Sequence, residues 1–88
     1  MSVSDQAIAR AIVDRVHERG PDATCCPSEI ARDIASEQGG CDWRELMPRV
    51  RQAAVDLAHR QRIEIRQRGE QVDPDNFSGP IRLGLPRV

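Results

Sequence analysis

The chain contains no lysine and no tyrosine, and Trp43 and Phe77 are its only aromatic residues. A stacking platform for single-stranded nucleic acid needs several exposed rings along a groove, so two aromatics argue against that class. Both rings are expected to pack in or near the core. No apolar run approaches the roughly 20 residues of a membrane-spanning helix. The six residues from Met1 to Gln6 lack the basic and apolar regions of a secretory leader, which makes the cytoplasm the expected location. Cys25, Cys26 and Cys41 are an odd set without an export signal, so reduced thiols rather than a disulfide framework are expected. Neither Cys-x-x-Cys nor His-x-x-x-His spacing occurs, and no metal site is expected from these residues with His17 and His59. A Gly-rich phosphate loop and a nucleophile elbow are also missing, and Ser28 and Glu29 have no histidine near them in sequence, so the expectation is a protein without catalytic residues or cofactor.

What remains is a short, charged, moderately apolar chain. Its 88 residues suit one domain, spanning 1–88 with an ordered core over about 5–86. A chain of this size buries only about 60–65% of the surface its unfolded form exposes. The formal charge is −1, which does not favour a general polyanion binder. The distribution is uneven, however. Residues 1–40 carry four arginines against seven acids, whereas residues 44–68 carry seven arginines against three acids. Arginine offers bidentate contacts to phosphate and carboxylate, although its exclusive use here also fits a compositional bias of the gene.

Periodicity gives the organisation. Ile8, Ala11, Ile12 and Val16 recur at helical spacing between Ser4 and Arg19, and Gly20-Pro21 stops that first helix. Thr24 to Cys26 reads as a short extended piece. Pro27 fits the first position of a second helix of about ten residues, with Ile30, Ala31, Ile34 and Ala35 as its buried stripe and Gly39-Gly40 as its end. Asp42 to Glu45 has capping-box spacing, the aspartate capping the amide of residue 45. A third helix then runs to about Gln61 with Leu46, Val50, Ala53, Ala54 and Leu57 inward. Pro48 predicts a kink in it, or a start at Met47 after a single separate turn. Beyond Arg60 the period falls to two, at Ile63 and Ile65 and again at Ile81, Leu83 and Leu85, which predicts two strands. Arg68 to Glu70 and Asp73 to Asn76 are turn chemistry between them, with Val72 and Phe77 folding the loop back. The order is that of a winged helix-turn-helix: an α+β fold in which three helices pack on a small antiparallel sheet with a C-terminal two-stranded hairpin, the wing.

The ordered set Cys26 to Arg32, Asp42-Trp43-Arg44 with Leu46-Met47, Arg62 to Ile65, Val72-Asp73-Pro74, Phe77 and Gly79 to Leu83 resembles the bacterial domain-of-unknown-function family 3253, over about Ala7 to Arg87. The resemblance implies a small winged helix and no established activity. Two departures stand out: a longer connection from Ser36 to Cys41, and Glu70 in a wing turn where related sequences tend to be basic.

A DNA-binding winged helix lays its third helix in the major groove. On that reading Arg49 and Gln52 are the base-edge candidates, and Arg44, Arg60, Arg66 and Arg68 are phosphate contacts, with double-stranded DNA as partner. The alternative is a protein-interaction or self-association module, with a protein partner or a second copy held by an apolar patch; the acidic first half and Glu70 favour it. Neither reading calls for a small-molecule ligand. Cys26, at the expected start of the second helix, is a candidate reactive thiol against the simpler reading of a buried joint residue. Cys25 is expected to point the opposite way and to be the more accessible thiol. His17 and His59, near helix C-termini, are expected to meet terminal carbonyls.

Overall fold

A computed structural model describes residues 3–39 and 42–86. Gly40 and Cys41 therefore lie outside the described residues.

The first helix, α1 (Asp5–Arg19), starts where the Ser4 hydroxyl accepts the Ala7 amide at 3.1 Å, and it ends at Gly20 with φ 83°. Ile8, Ile12 and Val16, one turn apart, are wholly buried. A two-residue strand, β1 (Thr24–Cys25), leads into α2 (Pro27–Gln38). Cys26 is the N-cap in extended conformation, and Pro27 fills a position whose amide hydrogen no helix uses. Gly39, left-handed at φ 68°, ends α2 and returns its amide to Ala35.

Helix α3 (Trp43–His59) starts at the Asp42 cap, as the capping-box spacing predicts, and carries Pro48 inside it. It is continuous through Pro48, so a separate turn with a new start at Met47 is overturned. The proline removes one donor to the Arg44 carbonyl, on an exposed face where water can take its place. Asp42 caps the amide of Arg44 at 3.0 Å, one residue before the position that capping-box spacing gives, while the Glu45 amide donates to the Asp42 carbonyl. The helix closes with Gln61 left-handed at φ 59°, its amide on Ala58 and the next amide, of Arg62, on Leu57. That paired pattern satisfies two terminal carbonyls, as a glycine usually does.

Four antiparallel strands follow the order β1-β4-β2-β3, where β2 is Glu64–Gln67, β3 is Glu70–Gln71 and β4 is Arg82–Gly84. Strand β4 lies between β1 and β2, which joins the segment before α2 to the C-terminal pair. The expected two-stranded hairpin is present as β2 with β4, and the structure adds a second, tighter one. Arg68 and Gly69, both at positive φ, form a two-residue turn that pairs Gln67 with Glu70 and Arg66 with Gln71. Three helices with this sheet make an α+β winged-helix arrangement.

Ile63, Ile65, Ile81 and Leu83 meet Ile8, Ile12, Ile30 and Val50 in one core. Val72 and Phe77 pack against it from the loop. The alternate positions of β2 are not solvated: Glu64 and Arg66 are also buried. No helix among the described residues is long and apolar enough to cross a membrane.

Candidate nucleic-acid interface

The six residues assigned to DNA contact on sequence grounds divide into three groups. Arg44 is exposed in the first turn of α3, its guanidinium 4.8 Å from the centre of the Trp43 ring and 3.8 Å from the Asp42 carboxylate. Arg60 and Arg68 are exposed at the C-cap of α3 and the tip of the β2–β3 hairpin. Gln52 donates to Asp56 one turn along, at 3.2 Å.

Arg49 is engaged by the neighbouring helix, and Arg66 is a correction. Arg49 gives two hydrogen bonds to one oxygen of Asp5, at 3.1 and 2.8 Å, and a third to the Val3 carbonyl at 2.5 Å. It clamps the start of α1 onto α3, with 40% of its side chain still exposed. Helical spacing gives the direction of a side chain on its own helix but not the helix packed alongside. Arg66 lies in the sheet, 6% exposed, with its Nη2 on the Leu85 carbonyl at 2.5 Å and its Nε 3.6 Å from a carboxylate oxygen of Glu64. It is a buried structural arginine with no surface to offer a phosphate.

Two arginines outside that set occupy the place these leave. Arg32, from α2, lies over the Trp43 ring at 4.5 Å. Arg51 lies two turns along α3 from Arg44 and 5.5 Å from the centre of the Phe77 ring. A cation held against an aromatic face keeps its charge while losing rotamer freedom. Arg32, Arg44 and Arg51 thus collect around the N-terminal half of α3, with half-buried Trp43 and Met47 between them. The spacing of Arg44 and Arg51 was readable as one helix face; the arrival of Arg32 from α2 was not.

The other flank of α3 is different in kind. Glu45 and Asp56 are exposed there, and a cleft of about 530 Å³ between α1 and α3 has Ala9, Pro48, Ala53 and Leu57 along it, with Asp5, Arg49, Asp56 and Arg60 at its edges. His59 does not meet a terminal carbonyl, as its position suggested, but pairs with Asp75 of the loop at 2.8 Å.

The two described cysteines exchange the expected roles. Cys25 is wholly buried, because β1 turns it into the core between α1 and the sheet; it is not the accessible thiol. Burial, with a smaller push from Glu29, raises its thiol to about 11, against the pull of Arg19, Arg15 and Arg82. Cys26 is half-buried with its sulfur 3.0 Å from the Ser28 hydroxyl, and it makes no side-chain cap bond to α2. Because the folded value for Cys25 lies above its ordinary 9.0, the fold binds that proton more tightly than the unfolded chain. Its contribution is full below pH 9 and falls away as pH rises towards about 11. Urea unfolding of the wild type is expected to weaken across that window and that of Cys25→Ala to weaken less; equal slopes would refute the assignment. With no lysine or tyrosine in the chain, few other groups titrate there.

Among the described residues no group of three or more His, Cys, Asp or Glu side chains is placed to hold a metal ion. No curated protein matches the chain. The family described as "Protein of unknown function (DUF3253)" matches residues 5–86, nearly the whole length, and the chain therefore belongs to the DUF3253 family.

Proposed function

We propose that this protein is a non-enzymatic winged-helix domain that binds double-stranded DNA through the N-terminal half of α3. The observation that carries the reading is the convergence of Arg32, Arg44 and Arg51 on one face of that helix, two of them stacked on Trp43. In this fold the start of the third helix approaches the major groove. Arg44, exposed in the first turn of α3, is the candidate base reader, and Arg32 and Arg51 are phosphate contacts. Arg68, at the tip of the hairpin, supplies a further phosphate contact. Binding is salt-sensitive and modest, since most other arginines are already paired with carboxylates or carbonyls of the fold.

The test is fluorescence polarisation of a labelled duplex at several salt concentrations. With three phosphate contacts, from Arg32, Arg51 and Arg68, log affinity should fall against log salt with a slope of about −2.7, and Arg32→Ala with Arg44→Ala should bring it to about −1.8 while also removing the base contact. Arg49→Ala, which loses the clamp on Val3 and Asp5, should leave the slope unchanged. Undetectable binding at low salt, or an unchanged slope in the double variant, would reject the reading.

One observation favours a protein partner instead. The α1–α3 cleft has an apolar floor, and its charges are already largely paired, which suits a peptide or a second copy better than a phosphate backbone. Light scattering and a pull-down decide this second reading, and a strictly monomeric protein that captures nothing removes it.

A further inference from the structure

We propose that the segment from Asp73 to Gly79 is an internal cover on α3, occupying hydrogen-bond donors that a DNA phosphate would otherwise take. The proposal rests on the DNA-binding reading above. Arg51, Val55 and His59 succeed one another at four-residue spacing and form one stripe of α3, away from the inward stripe of Val50, Ala53, Ala54 and Leu57. The loop meets this stripe at both ends. Arg51 donates to the Gly79 carbonyl at 3.3 Å and lies over Phe77, while His59 pairs with the Asp75 carboxylate at 2.8 Å.

The loop is also built to move as a piece. Its turn is held internally, by the Asp75 amide on the Asp73 carboxylate at 2.9 Å and the Asn76 amide on the Asp73 carbonyl at 3.0 Å. Its far end is tied to β2 rather than to α3, through Gln67 donating to the Ser78 and Pro80 carbonyls at 2.6 and 3.0 Å. Lifting it from α3 breaks the contacts of Phe77 and His59 and loosens that of Arg51, whose acceptor Gly79 lies between the two carbonyls anchored by Gln67. The His59 and Asp75 side chains are 47% and 66% exposed, so their pair resists opening only weakly. Electrostatics point the same way. From Gly69 to Ile81 the chain has three acids, Glu70, Asp73 and Asp75, and no basic residue. A closed loop therefore sets carboxylates beside the basic flank of α3, and an open one frees Arg51 and His59 for phosphate.

The experiment compares duplex affinity at low salt for the wild type, Phe77→Ala, Asp75→Ala and Asp22→Ala, with a thermal melt to show that each is folded. Phe77→Ala changes no charge and loosens the cover. Asp22→Ala removes the same charge as Asp75→Ala from the exposed turn before β1. If apparent affinity is limited by the open fraction, Phe77→Ala and Asp75→Ala should bind about five- to tenfold more tightly, and Asp22→Ala less than twofold. Should Phe77→Ala fail to fold, the exposed Asp75→Ala against Asp22→Ala carries the comparison. Binding by the wild type that is matched or weakened in both cover variants, or an Asp75→Ala gain no larger than that of Asp22→Ala, overturns the cover and leaves DNA binding standing. If no protein in the set binds DNA, the functional reading falls first and the cover falls with it.

Discussion

Arg66→Ala is expected to destabilise the fold by about 3–5 kcal/mol, the usual cost of removing one member of a buried ion pair. A domain of this length has roughly 4–13 kcal/mol in total, so the variant should be partly unfolded at room temperature if it lies at the low end. The side chains of Arg66 and Glu64 are 7% and 4% exposed. The guanidinium also holds the Leu85 carbonyl, where the chain leaves β4. Truncation removes that donor and takes one cation away from beside the buried Glu64 carboxylate. Replacing both groups by apolar ones of similar volume is a different perturbation. Glu64→Leu with Arg66→Met should cost less than Arg66→Ala alone, because both desolvation costs vanish together although the Leu85 carbonyl still loses its donor. Urea unfolding followed by the single tryptophan measures all three proteins. An Arg66→Ala variant as stable as the wild type would contradict the structural role.

Gly84→Ala is expected to cost about 1–3 kcal/mol for a reason that lies wholly in the same arginine. A methyl group on Gly84 would stand 2.6 Å from Nη1 and 2.8 Å from Cζ of Arg66. An arginine tip in solvent would swing aside. This one is confined and bonded to Leu85, so it must either give up that bond or push the strands apart. Elsewhere in extended backbone, alanine for glycine reduces unfolded-state freedom and stabilises by about 0.4–1 kcal/mol. Once Arg66 is already alanine, Gly84→Ala should therefore become neutral or stabilising. The double-mutant cycle should give a coupling of about 1–3 kcal/mol, and additivity would mean that the two sites do not meet in this way.

The helices and the core were legible because each has a strong local signal. Ile8, Ile12 and Val16 mark α1, Pro27 fixes the first residue of α2, and Ile63, Ile65, Ile81 and Leu83 alternate inward. The third strand was missed because Arg68-Gly69 is a weak form of the Asn-Gly hairpin signal, with a large side chain at the first left-handed position. The interface was less legible than the fold, since it depends on pairings between elements. Nothing near Arg49 in sequence indicates Asp5, which is 44 residues away, and nothing near Arg66 indicates that its side of the sheet is buried. Cys25 and Cys26 were exchanged for a related reason: an extended segment fixes which two faces its side chains take, but packing decides which face is the core.

DNA should touch α3 at its N-terminal half, and an amide chemical-shift titration of the labelled protein with a short duplex measures that residue by residue. The prediction is a set of salt-sensitive shifts at Arg32, Trp43, Arg44, Met47 and Arg51, with the Trp43 indole among the largest and Ala9 and Ala53 in the opposite cleft unmoved. Shifts confined to that cleft, or none at all at low salt, would contradict it.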